Sequence, residues 1–289
     1  MHRNGSRPHR RPTADRRWIH IAVTRRLSHP RGLLFLGLPA AGLVIVPIIA
    51  VVWRTPWSSF WSSISNDASR TALALSLRTS LIATLLALVF GTPLAWVLAN
   101  STFRGRAVVR ALLVLPMVLP PVVGGVALLF AFGRRGLVGG VLDDWFGIRL
   151  AFTETATVMA EFFVAAPFFI VVMEAAFEQV DRRVLGAART FGAGPWRSFL
   201  TVTIPLVRPS LIAGLVLTWA RALGEFGATI TFAGNTPGRT QTVPLAVYSA
   251  LESGNDSALA LSMLMVALSV VVLVALRGRW IGALRRGGE

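Results

Sequence analysis

The chain contains no cysteine, which excludes disulfides and thiolate metal sites. It contains no lysine either; all 29 of its basic residues are arginine. Without lysine there is no phosphate-cradling loop of the kind that ends in Gly-Lys-Ser/Thr. Lysine Schiff bases and lysine general bases are excluded with it. Charged residues make up only 15% of the sequence, against about 25% in a soluble domain. Histidine occurs four times, at His2, His9, His20 and His29. No histidine is left for acid–base work further along the chain. The wide spacing of the four, with Asp15 as their one acidic companion, argues against a zinc site.

What fills the chain instead is apolar sequence, 54% of 289 residues. Crossing a bilayer as a helix takes about 20 apolar residues. Six such runs stand out, at about 32–53, 72–100, 108–133, 155–178, 206–233 and 257–276. The expected fold is an all-α, multi-pass integral membrane protein with six transmembrane helices. Residues 1–31 read as an Arg-rich tail without a stable fold, 32–277 as the transmembrane domain and 278–289 as a short second tail. Cationic residues favour the cytoplasmic side of a membrane. With the N-terminus cytoplasmic, twenty-one arginines fall in cytoplasmic segments and six in outer loops. That asymmetry accounts for the net charge of +16 without nucleic acid as a partner. The apolar run after the basic tail is too long for a cleaved signal peptide.

The connection at 181–205, between the fourth and fifth runs, is amphipathic and dotted with arginine. Gly192 stands where a helix would end and Pro195 where the next would begin. The expected result is two short helices meeting at a bend, presenting Ala187, Ala188, Phe191 and Trp196 beside Arg189 and Arg197. A small apolar and basic knuckle of this kind suits docking into a partner's groove.

The spacing in this connection resembles the cytoplasmic loop of the permeases of ABC importers. That loop reads Glu-Ala-Ala, three residues, Gly, nine residues, then Ile-x-Leu-Pro. Here Gly186-Ala187-Ala188 is followed after three residues by Gly192, and after nine more by Val202-Thr203-Ile204-Pro205. Gly186 replaces the glutamate, so any ion pair made by that acid is missing. "LPMVLPPVVGGVALL" and "RALGEFGATITFAGNTPGRTQTVPLAVY" look like molybdate permeases, and "LGEFG" is shared with sulfate and thiosulfate permeases.

The resemblance implies a type I importer permease in the cytoplasmic (inner) membrane, working as a homodimer. It implies a separate ABC ATPase that uses ATP and Mg, and an extracytoplasmic oxyanion-binding protein. It implies no cofactor on this chain and no enzymatic site of its own. Gly186, Ala187, Ala188, Arg189, Gly192, Pro195, Trp196, Arg197 and Pro205 would form the ATPase-coupling loop. Pro120, Pro121, Arg221, Glu225, Gly234, Asn235, Arg239 and Thr240 are candidates for the pathway and its outer gate. Molybdate is the favoured anion, with sulfate, thiosulfate and tungstate as alternatives. An ion-coupled secondary transporter is the alternative from another class.

The remaining charges inside the apolar runs have plain readings as well as functional ones. Arg221 and Glu225 lie one helical turn apart and can pair. That pair either braces the fifth run, the favoured reading, or offers an arriving anion a positive guide. Arg78 is expected to extend toward the interface, with Glu161 as a possible partner. Glu174 and Glu178 are expected to form a solvated cluster with Arg182 and Arg183. Asp143-Asp144 reads as an exposed turn in an outer loop.

Overall fold

A computed structural model of the chain describes residues 31–286, with side chains described over residues 35–274. The expected tail at 1–31 therefore lies outside the described residues apart from Arg31. The chain divides into two units, Met1–Pro47 and Ile48–Glu289. Among the described residues every regular element is helical. The helices are α1 (Arg31–Arg54), α2 (Phe60–Ser65), α3 (Asp67–Leu86), α4 (Thr92–Asn100), α5 (Arg106–Val118), α6 (Pro121–Phe132) and α7 (Gly139–Phe146). They continue with α8 (Glu154–Glu178), α9 (Arg182–Thr190), α10 (Pro195–Ser198), α11 (Ile204–Leu223), α12 (Gly227–Phe232), α13 (Val243–Glu252) and α14 (Ser257–Arg286).

Among the described residues five stretches are long and apolar enough to cross a membrane: Phe35–Arg54, Asp67–Asn100, Glu154–Glu178, Pro195–Leu223 and Ser257–Val274. The second joins α3 to α4 through a π-turn at Ala87–Gly91, and the fourth joins α10 to α11 through another at Phe199–Thr203. A π-turn admits one extra residue and rotates the helix face beyond it, often near functional surfaces.

Two of the expected runs differ in form. The run at 108–133 is two shorter helices, α5 and α6, separated at Leu119 and Pro120. A residue before proline is pushed out of the α region, and Leu119 is extended, with ψ 137°. Pro121, lacking an N–H, is the first residue of α6, where no helical donor is needed. The run at 206–233 is likewise divided. α11 stops at Leu223, and α12 restarts after Gly224-Glu225-Phe226. The last helix runs on to Arg286, through most of the segment expected as a tail. α13 has no counterpart among the expected spans.

α8 is the hub of the bundle. It packs against α3, α4, α5, α11 and α12. Thr153 caps its N-terminus by accepting the Ala156 N–H. Its small residues Ala156, Ala160, Ala165 and Ala166 are buried and admit neighbouring helices closely, while Phe169, Met173 and Phe177 fill the space between them.

The divided helices pack on each other. A Cβ placed on Gly125 of α6 would come within 2.7 Å of the Thr231 side chain and 2.8 Å of the Ala228 carbonyl. A Cβ on Gly227 of α12 would come within 2.6 Å of Pro121. Only glycine lets the two backbones approach this closely. Gly125→Ala and Gly227→Ala are therefore expected to cost about 1–3 kcal/mol each through overpacking. Gly37→Ala, with nothing within 4 Å of the added carbon, is expected to leave stability unchanged. Thermal unfolding of the three variants in detergent checks this.

Candidate functional site

The segment at 181–205 folds into α9 and α10 with a bend between them. Asp181 caps α9 by accepting the Arg183 N–H at 2.8 Å. Gly192 has φ +80°, a left-handed conformation that a side chain would strain. The Gly192 and Ala193 N–H groups return to the Arg189 and Ala188 carbonyls, closing α9. Pro195 opens α10. Phe191 and Trp196 are 90% and 72% exposed, large values for aromatic side chains. Gly186, Ala187, Arg189, Gly192, Pro195, Arg197 and Pro205 are exposed, and Ala188 half-buried.

The knuckle is joined to the bundle by aromatic rings. Trp196 stacks on Phe199 at 5.8 Å between ring centres. Phe199 meets Trp96 of α4 edge-on at 5.1 Å, and Trp96 meets Phe177 of α8 at the same distance. Trp196 of α10 is thus linked to α4 and α8 by a continuous run of ring contacts.

The acids near the end of α8 are not partnered as expected. Glu174 is buried, and it and Glu178 pair with Arg106 and Arg110 of α5 rather than with Arg182 and Arg183. Arg110 Nε donates to Glu174 Oε1 at 3.0 Å, and Arg106 Nη2 donates to Glu178 Oε1 at 3.0 Å. The reason is direction. α9 leads away after the Asp181 cap, while α5 lies alongside α8. Sequence spacing cannot reveal a partner some 64 to 72 residues away.

Arg221 and Glu225 do pair, at 2.7 Å. Glu225 is 1% exposed and lies in the break between α11 and α12. Its Oε1 also accepts the Ala228 N–H at 2.8 Å, satisfying a donor that the break leaves free. Pro121 lies against Gly227, so the two helix breaks meet beside this pair. Pro120 is exposed next to them.

The outer-gate candidates form a separate group. Gly234, with φ +79°, ends α12. Asn235 Nδ2 donates to Ser249 Oγ at 2.8 Å, and Gln241 Nε2 donates to Asn235 Oδ1 at 2.9 Å. The buried Thr240 hydroxyl accepts the Thr236 N–H at 2.9 Å. Arg239 is exposed and makes no ion pair among the described residues. The Val243 N–H donates to Ser76 Oγ at 2.7 Å, holding the start of α13 on α3.

Two further expectations change. Arg78 is exposed and pairs with Glu154, not Glu161. Glu161 is buried in α8, where its Oε1 accepts the Thr79 hydroxyl at 2.9 Å and its Oε2 has no partner among the described residues. Asp143 lies on α7 rather than in a turn and is held between two arginines. Arg149 Nε donates to its Oδ1 at 3.0 Å and Arg134 Nε to its Oδ2 at 2.8 Å.

Long apolar helices, an ion pair that buries Glu225 at a helix break and an exposed basic-aromatic knuckle define a multi-pass membrane protein. The chain belongs to the family described as binding-protein-dependent transport system inner membrane component, whose model matches residues 91–287. Within that family it is 43% identical over 199 residues to the molybdenum transport system permease protein ModB of Escherichia coli K12, covering 69% of this chain and 87% of that protein. It is 45% identical over 194 residues to the ModB protein of Mycobacterium tuberculosis H37Rv, covering 66% of this chain and 72% of that one. In fold it resembles a chain of a bacterial alginate ABC transporter crystallised with an alginate-bound periplasmic protein. The TM-score is 0.68 at 17% identity, over 86% of this chain and 92% of that one.

Arg221→Met would leave the Glu225 carboxylate buried without its cation, which costs about 3–5 kcal/mol. The double variant Arg221→Met, Glu225→Gln is expected to recover most of that loss in a thermal-unfolding double-mutant cycle. The Arg149 hydrogen bond, with Arg134 on the other oxygen, holds the Asp143 carboxyl below its usual range. A depressed folded-state value means stabilisation that is present above the ordinary carboxylate range and is lost as pH falls through the depressed value. Asp143→Asn should therefore lower stability at neutral pH, converge with the unmodified chain in acid, and so flatten the acid limb of the stability–pH profile in thermal unfolding.

Proposed function

We propose that this chain is the permease subunit of an ABC importer for a tetrahedral oxyanion, molybdate foremost. ATP and Mg are used by a separate ATPase subunit, and an extracytoplasmic binding protein delivers the anion. The observation that carries the reading is the α9–α10 knuckle: exposed Phe191 and Trp196 beside Arg189 and Arg197, coupled by stacked rings to α4 and α8. Such a surface fits a cleft on a soluble partner. The relatives named for molybdenum transport support the choice of anion.

In this reading the N-terminus and the knuckle face the cytoplasm. Two copies of the chain present two knuckles to a pair of ATPases and enclose the pathway between them. ATP-driven movement of the ATPases displaces the knuckle as a rigid body, and the aromatic contacts pass that displacement to α8. The loop from Gly234 to Thr240, tied to α13 by Asn235 and Gln241, forms the outer gate. The Arg221–Glu225 pair braces the broken fifth run and keeps the positive charge partly neutralised. That weakens retention of a dianion, which must be released as well as admitted.

Ala188→Glu places an uncompensated acid on the docking face, and Gly192→Pro strains the bend. Both are expected to abolish stimulation of the copurified ATPase while leaving the helical content in detergent unchanged. Uptake of labelled molybdate into proteoliposomes, competed with tungstate and with sulfate, checks the anion. Uptake that continues without ATP on a proton gradient would mean a secondary transporter instead.

A further inference from the structure

A cavity of about 600 Å³ lies between the α3–α4 stretch and the knuckle, behind the docking face. Both π-turns contribute to its wall, through Leu88 and Val89 on one side and Phe199, Leu200 and Thr203 on the other. Its lining is apolar apart from Arg189, Thr92, Ser198 and Thr203, and the Ser198 hydroxyl is taken up by the Ala193 carbonyl. Arg189 sits on the wall and makes no ion pair among the described residues. Thr92 and Thr203 line the cavity too, and both hydroxyl oxygens are buried without a hydrogen-bond partner. Thr203 is fully buried. Buried polar groups left unpaired are uncommon and call for an explanation. The volume is that of a small-molecule pocket. The cavity is partly open to the exterior, and its wall includes Val89 and Leu200, both exposed apolar residues on membrane-crossing stretches.

We propose that this cavity holds one anionic phospholipid, with an acyl chain along the apolar wall and the headgroup phosphate on Arg189. The wall is continuous with the lipid-facing surface, so a lipid reaches it by lateral movement without crossing water. Trp96 and Trp196 supply amphipathic rings of the kind that sit at headgroup depth. Charge selects the occupant: a guanidinium favours phosphate, and a second copy of this chain would bring the same cation to the same place. The site does not depend on which anion the transporter carries.

Native mass spectrometry of the full chain, delipidated in detergent, tests the proposal with added phosphatidylglycerol and phosphatidylcholine of matched acyl chains. The expected result is one phosphatidylglycerol per chain, retained roughly tenfold better than phosphatidylcholine, as one charge-assisted contact allows. Arg189→Gln should bring the two lipids level. Leu200→Trp, which fills the cavity, should reduce both. Thr92→Val keeps shape and fold, and because the Thr92 hydroxyl is buried in the wall it should leave the binding of both lipids and the preference between them unchanged. Equal retention of the two lipids by the unmodified chain would overturn the proposal, as would unchanged phosphatidylglycerol binding in Arg189→Gln. Displacement of the lipid by inorganic phosphate would also sink it, because the site would then be one for the free anion.

Discussion

Backbone amides and carbonyls have no water to turn to inside a bilayer, and each one left unpaired costs several kcal/mol. The rest of this structure follows from how the chain meets that requirement while still breaking two of its apolar runs. The break at Leu119–Pro120 sheds donors outright, because proline has none. The break at Gly224–Phe226 keeps its donors and recruits Glu225 to accept one of them. The two half-helices beyond the breaks, α6 and α12, then pack backbone against backbone through Gly125 and Gly227. Irregular backbone at membrane depth is thereby covered by protein.

Around this sits a stiff frame. α8 touches most of its neighbours and carries both of the acids that fasten α5. That ion cluster lies near the end of α8 from which α9 departs, and the Trp96–Phe177–Phe199–Trp196 contacts lie beside the same junction. Charge-assisted bonds and interlocked rings resist shear in different directions. Together they fasten the base of the knuckle to α4, α5 and α8.

Much of this was legible in the residues. Length and apolarity marked the crossing stretches, and the Gly192/Pro195 pair marked the bend. The one-turn spacing of Arg221 and Glu225 gave a pair that the structure contains. What stayed hidden were relations between distant segments. Glu174 reads equally well beside Arg182 in sequence and beside Arg110 in space, and only packing chooses. Arg78 reaches outward as expected, but its partner there is Glu154, while the Thr79 hydroxyl goes to Glu161. Hydropathy alone ran through Leu119–Pro121 and Gly224–Phe226 as if the helices continued, because apolar residues lie on both sides of each break. The π-turns leave no compositional trace, so the cavity they border could not be read from the sequence.

The pairing of Arg221 with Glu225 has an electrical side. Moving one isolated charge across the membrane field does work of about 2.3 kcal/mol per 100 mV. Here the cation and its counter-charge sit one helical turn apart on the same segment. Any shift of that segment carries both together, so the work done on one is returned by the other. Rearrangement of this buried pair is therefore nearly blind to membrane potential, and voltage has no handle on the bundle through it.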